Sequence, residues 1–156
     1  MQVLVTGGAG YIGSHVVLRL LDAGHGVTVL DNLSSGTARA VPGAADLVIG
    51  DVSDSSILQR LLPGCDAVIH LAALKAAGES MEQPGQYATA NIGATLGLCR
   101  AMMEAGVGLL VFSSSAAVYG APHSLPVDEA HPTEPLSYYG FTKLSIERNL
   151  DWFDRL

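Results

Sequence analysis

The stretch that most constrains this chain is Val3-Leu4-Val5-Thr6-Gly7-Gly8-Ala9-Gly10-Tyr11-Ile12-Gly13. An apolar run meets four closely spaced glycines, and an apolar-spaced segment follows. The order predicts a buried strand over 2–6, a tight turn, and a helix start. N–H groups at a helix N-terminus lack intrahelical partners, and the macrodipole adds roughly half a positive charge there, so such a turn suits an anion. Glycines at these places allow the tight turn, the approach of a pyrophosphate to the backbone, and close packing of helix on strand. By itself the pattern is weak, because glycine-rich turns are common. Its position gives it weight: a second apolar run, Val27-Thr28-Val29-Leu30, follows the helix and ends at Asp31. Strand, helix and strand within ~30 residues make a βαβ unit.

The helix after the glycines is expected to carry Ile12, Val16, Val17, Leu20 and Leu21 on its apolar side and to stop at Gly24. Further strands are expected at 46–49, 67–72 and 109–112, with a short helix from Asp54 to Leu62 stopped by Pro63-Gly64. Residues 74–85 lack periodicity and read as a loop with one helical turn. A longer helix is expected over 86–104, with Ile92, Leu96, Cys99 and Met103 on its apolar stripe and Gly106 ending it. Four prolines between Gly120 and Ser137 mark a long irregular loop, and a last helix begins near Tyr138 and runs to Leu156. Strands alternating with helices predict an α/β fold with a doubly wound parallel sheet of about five strands. Ligands of such sheets bind beyond the carboxyl ends of the strands. The glycines, Asp31, Asp51, the stretch Leu71 to Lys75, and Ser113 to Ser115 each follow one of the five predicted strands.

At the end of the second strand, Asp31 suits the diol of an adenosine ribose and would repel a 2′-phosphate, which favours NAD over NADP. Tyr139 and Lys143 stand four apart at the start of the last helix and share a face. A phenol titrates near 10 when unperturbed, and a nearby ammonium favours the phenolate and so a general base. Lys143 is one of only two lysines; the other, Lys75, suits a phosphate or ribose hydroxyl, or simply solvent. The hydroxyl of Ser115, at the end of the fifth strand, both donates and accepts and can relay a proton. Asn91, in the long helix, fits a bond to the cofactor and equally a core amide holding backbone.

A net charge of −7 and the lack of any basic stretch argue against nucleic acid as a partner. Cys65 and Cys99 read as reduced core thiols, and the five histidines show no metal-ligand spacing, so no metal is expected. No apolar run approaches ~18 residues and no leader is evident, which predicts a protein of the cytoplasm with no membrane partner.

Six stretches together resemble the extended short-chain dehydrogenase/reductase family. They are Gly7 to His15, Asp31 to Gly36, Gly50-Asp51-Val52, Leu74-Lys75-Ala76-Ala77-Gly78-Glu79-Ser80, Ser113-Ser114-Ser115-Ala116-Ala117-Val118-Tyr119-Gly120, and Tyr139 to Lys143. The fourth and fifth resemble most closely the amino-terminal half of its nucleotide-sugar epimerases. The resemblance implies a Rossmann fold over 1–156 and NAD as cofactor, with interconversion of UDP-glucose and UDP-galactose by transient oxidation at C4′. By the same resemblance Gly7, Gly10, Tyr11, Ile12, Gly13, Asp31, Asn32, Leu33, Ser34, Ser35, Gly36, Asp51 and Val52 line the cofactor. So do Leu71, Ala72, Ala73, Leu74, Lys75, Asn91, Tyr139 and Lys143. Catalysis falls to Ser115, Tyr139 and Lys143, with Ser115 and Tyr139 touching the sugar. Nucleotide-sugar 4,6-dehydratases are the alternative enzyme class within the family, and they carry an Asp-Glu pair where this chain has Ala116 and Ala117. Family members also carry a sixth strand and a carboxyl-terminal substrate domain, so the chain is expected to be a portion of a longer enzyme. A module that binds NAD without turnover is the other reading. The family also admits pairing into a homodimer.

Overall fold

The computed structural model describes residues 1–155, and the chain divides into two compact units. The first comprises Met1–Ala73 and Gly97–Ser113; the second comprises Leu74–Leu96 and the chain from Ser114 onward.

The first unit holds a five-stranded parallel sheet. Its strands are β1 (Gln2–Thr6), β2 (Gly26–Asp31), β3 (Asp46–Ile49), β4 (Ala67–His70) and β5 (Leu110–Phe112), in the order β3-β2-β1-β4-β5. Central β1 pairs with β2 in the register Val3↔Val27 and Val5↔Val29, and with β4 in the register Val3↔Ala67. The reversal of direction at β1 is the doubly wound topology that the alternating elements predict. Val3, Val5, Val17, Val27, Val29 and Ala67 form the core, with Leu20, Leu21, Leu47, Ile69 and Leu71 packed on it. Near-continuous apolar strands of this kind are buried on both faces, as parallel sheets require. β4 ends at His70, two residues before the expected end, although the Leu71 N–H still bonds to Thr6 O at 3.0 Å.

Helix α1 (Tyr11–Asp22) buries Gly13 and Val17 and ends as expected, with Gly24 at φ +80°. Ile12 does not join the apolar side: it is 63% exposed, because the helix meets the sheet through Gly13 in its first turn. Helix α2 (Ser55–Leu61) starts at Asp54, whose carboxylate caps it by accepting from the Ser56 and Ile57 N–H groups.

The second unit departs most from expectation. Residues 77–82 form helix α3 (Ala77–Glu82), somewhat longer than the one helical turn expected within a loop, and α4 (Pro84–Tyr87) follows at once. Pro84 occupies the first position of α4, where a missing N–H costs nothing. The helix then passes through a π-helical stretch, Ala88–Gly93, into α5 (Ala94–Ala105). Along this run, which enters the first unit at Gly97, the buried positions are Asn91, Ala94, Thr95, Leu98, Cys99, Ala101 and Met102, while Met103 is 57% exposed. Of the expected stripe, Cys99 is buried and Ile92 and Leu96 are half-buried; Met103 falls outside it, because the stripe begins inside the π stretch, where a turn takes more residues than the 3.6-residue count allows. Helix α6 (Tyr138–Phe153) ends before the predicted point: the Asp154 N–H bonds to Leu150 O at 2.9 Å. The remaining expectation, helix at Leu156, lies outside the described residues.

Candidate active site

In the sheet unit the glycine turn is fixed by backbone. The Gly7 N–H donates to Leu30 O (2.9 Å), the Gly10 N–H to Gly7 O (3.2 Å), and the Ser14 N–H to Gly10 O (2.9 Å). Gly7 has φ +75°, and a Cβ there would lie 2.6 Å from Ala72 N. A Cβ at Gly13 would collide with Gly7 O. Any side chain at either place would force strand, turn and helix apart. The first N–H groups of α1 have no side-chain cap and no acidic residue in the first turn, unlike α2 with Asp54. An open helix N-terminus beside a cradle that a Cβ would fill fits a pyrophosphate. Tyr11 is 83% exposed and, like Ile12, stands open at this turn.

Asp31 does more than the sequence suggests. It is only 8% exposed, and its Oδ2 accepts from the Ala9 N–H (2.9 Å) while Oδ1 accepts from the Leu33 N–H (2.8 Å). The carboxylate therefore ties the glycine turn to the end of β2, and its remaining lone pairs stay available for a ribose diol. The loop after it lies over the turn: the Thr37 N–H donates to Ala9 O (3.1 Å), and a Cβ at Gly36 would meet the Ala9 carbonyl at 2.7 Å. Asn32 accepts from the Ser34 N–H and donates Nδ2 to Asp51 Oδ2 at 2.8 Å, while Ser35 continues the exposed loop. The hydroxyl and N–H of Ser53, with help from Asn32, hold the Asp51 carboxyl below its ordinary range; Val52 beside it is buried. Leu71, Ala72 and Ala73 follow β4 and are partly buried.

The second unit carries Ser115, Tyr139 and Lys143. Ser137 caps α6 by accepting from the Gly140 N–H (3.1 Å). That start sets Tyr139 and Lys143 one turn apart on one helix. Ser115 caps a short 3₁₀ turn, Ala116–Val118, by accepting from the Ala117 N–H (3.1 Å), which leaves its hydroxyl proton to donate elsewhere. A Cβ at Gly140 would lie 2.5 Å from Ala117 O, so the Ser115 turn packs directly on the first turn of α6. Lys143 is 3% exposed, and burial lowers its ammonium to about 8, a shift opposed in part by Glu147. It still carries its proton in most molecules at pH 7.

Asn91 is 1% exposed and fully engaged through its amide. Its Oδ1 accepts from the Leu74 N–H (2.8 Å), and its Nδ2 donates to Leu74 O (2.9 Å) and to Thr142 Oγ1 (3.1 Å). Thr142 Oγ1 in turn donates to Tyr139 O (2.7 Å). Asn91 thus holds the backbone just before exposed Lys75 and backs the helix of Tyr139. Sequence reasoning passed over Ser80, which is fully buried and accepts the Tyr139 N–H at 2.9 Å. Among the described residues no group of three His, Cys, Asp or Glu could hold a metal ion, and no helix is long and apolar enough to cross a membrane.

The sheet order, the glycine cradle and the acidic end of β2 define a dinucleotide-binding domain of the Rossmann class. The more particular assignment follows from comparison: residues 3–155 match the NAD dependent epimerase/dehydratase family, and the chain belongs to that family. It is 48% identical over 149 residues to a UDP-glucose 4-epimerase of Corynebacterium glutamicum, covering 94% of this chain and 45% of that protein. Among solved structures it is similar to UDP-glucose 4-epimerase from Brucella ovis in complex with NAD, with TM-score 0.94 and 41% identity over 97% of this chain and 47% of that one. The Thermotoga maritima UDP-glucose 4-epimerase with UDP-glucose gives TM-score 0.95 at 37% identity, covering 99% and 52%. The chain spans about half the length of the curated relatives it matches.

Proposed function

We propose that the protein carrying this chain is an NAD-dependent epimerase that interconverts UDP-glucose and UDP-galactose through transient oxidation at C4′. The observation that carries the reading is the second unit's arrangement of Ser115, Tyr139 and buried Lys143 on one packed turn and helix start. It is joined to membership of a family whose relatives bear that name. In this reading the glycine turn and the N-terminus of α1 hold the pyrophosphate, and Tyr11 and Ile12 flank it. Asp31 takes the adenosine ribose, and Asn32 to Gly36 with Asp51 and Val52 surround that end. Leu71 to Lys75 line the rest of the cofactor, with Asn91 acting through the Leu74 backbone it grips.

When bound, NAD supplies reversible hydride chemistry. Tyr139 takes the proton of the sugar 4′-hydroxyl and later returns it, and Ser115 hands that proton on. The Lys143 ammonium would stabilise negative charge on the phenol oxygen and would help hold the cofactor through a ribose hydroxyl. Ala116 and Ala117 offer no ionisable group, so the second acid and base that an elimination needs are lacking at those positions. Because the chain spans about half of its relatives' length, NAD binding without turnover is the second reading for these residues on their own. A coupled assay of UDP-galactose conversion tests the function. Turnover is expected, with NAD bound; NAD binding with no conversion of UDP-galactose by the whole protein would leave only the binding module.

A further inference from the structure

The first turn of α6 has three N–H groups with no intrahelical acceptor, because the first helical bond is from Phe141 N–H to Ser137 O. Ser137, its own N-cap, serves only Gly140. The other two are served by α3: Tyr138 N–H reaches Met81 Sδ at 3.3 Å, and Tyr139 N–H reaches Ser80 Oγ at 2.9 Å, across 59 residues of sequence. Sulfur is a weak acceptor, so the directional bond is that of Ser80. Its hydroxyl cannot turn away, because its proton is donated to Ala77 O at 2.6 Å and the residue is fully buried. Helix α3 is itself anchored. The Tyr87 ring is fully buried, and its hydroxyl lies 2.7 Å from Glu79 Oε2 and 2.9 Å from Ala76 O, the residue at the N-terminus of α3. Burial and then the Glu79 carboxylate push the Tyr87 phenol upward, so it stays protonated and donates.

Resting on the function proposed above, we infer that Ser80 is a positioning residue for Tyr139: it fixes the backbone of the proton-transferring tyrosine from a second helix. Helices six residues long have little stability alone, so α3 is itself held by its contacts. The arrangement ties the N–H of Tyr139 to Ser80, while Thr142 donates to its carbonyl oxygen. Both backbone polar groups of that one residue are therefore held by side chains. A displacement of about 1 Å at a reacting group costs on the order of 100-fold in rate.

The test compares Ser80→Ala and Ser80→Thr with Asp54→Ala, which removes an ordinary helix cap in the sheet unit. Ser80→Ala is expected to lower kcat for UDP-galactose about 10- to 100-fold with KM changed less than about twofold. NAD affinity stays at the wild-type value. Ser80→Thr keeps the hydroxyl and restores most of kcat, and Asp54→Ala leaves kcat unchanged. A folded Ser80→Ala protein with wild-type kcat would overturn the inference. In the unmodified protein, amide exchange at Tyr139 is expected to be slow and to need opening of α3; fast exchange, like that of a frayed helix start, overturns it without any variant. If the wild-type protein shows no turnover, the function proposed above fails, and the exchange measurement still decides whether Ser80 holds Tyr139.

Discussion

The two units solve the problem of holding a group in place by different means. In the sheet unit the glycine turn is set by backbone against backbone, with Gly7 and Gly13 packed where no side chain fits, and one carboxylate, Asp31, bracing it from 22 residues away. In the second unit the backbone around Leu74 and Tyr139 is held by side chains. Asn91 grips Leu74 and Thr142, and Ser80 grips Tyr139. The first kind of site fails when atoms are added, and the second when they are removed.

Gly7→Ala should give the largest effect on the sheet side. The added Cβ meets Ala72 N at 2.6 Å and the residue must keep φ +75°, so a loss of several kcal/mol, with NAD binding abolished, is expected by denaturant titration and calorimetry. An alanine that binds NAD normally would break the claim that this turn admits only backbone. Asp31→Asn keeps the shape but replaces one acceptor oxygen by an amide donor facing Ala9 or Leu33. We expect a loss of about 1–3 kcal/mol and weaker NAD binding.

Lys143→Met sharpens the other half of the comparison, because a buried ammonium burdens stability. The folded-state value of Lys143 is about 8 against 10.5, so the folded chain binds its proton less well than the unfolded one. The ammonium therefore costs stability at all pH values below 8. Stability recovers as pH rises from 8 to 10.5, where the unfolded chain still holds the proton and the folded chain has lost it. Methionine should raise stability at pH 7 by about 1–3 kcal/mol while removing turnover, and the gain should fade between pH 8 and 10.5. An unchanged or lowered stability at pH 7 would contradict this. The smallest effect is expected for Asp54→Ala, a slight drop in melting temperature with NAD binding intact. Because the Ser56 hydroxyl and N–H hold the Asp54 carboxyl below its ordinary range, this cap's contribution is present above the unfolded value and fades as pH falls through the folded one.

Legibility in the sequence follows the same division. The strands, the glycine turn and Asp31 were legible because apolar runs and glycine spacing carry a local signal, although the pairings that assemble them, such as Val3 with Ala67, are distant in sequence. Tyr139 and Lys143 were legible because helix spacing puts them on one face. Helix α3 was legible only as a single turn, because it lacks a side-chain N-cap and depends on Tyr87, and Ser80 looks like any turn serine until α6 is in place. The buried face of α5 was legible at Cys99 but not at Met103, because its phase passes through a π turn that a 3.6-residue period cannot register. Asn91 was recognised as a candidate, but its grip on Leu74 needs a fold to be seen.

The division of labour is tested most directly by Tyr139→Phe, assayed at once for NAD affinity and for UDP-galactose turnover. The prediction is NAD binding within about threefold of wild type and turnover reduced by about 10²–10⁴, the range for loss of a positioned general base. Turnover near the wild-type rate, or loss of NAD binding together with turnover, would contradict the separation of a backbone-built cofactor cradle from a side-chain-built proton-transfer site.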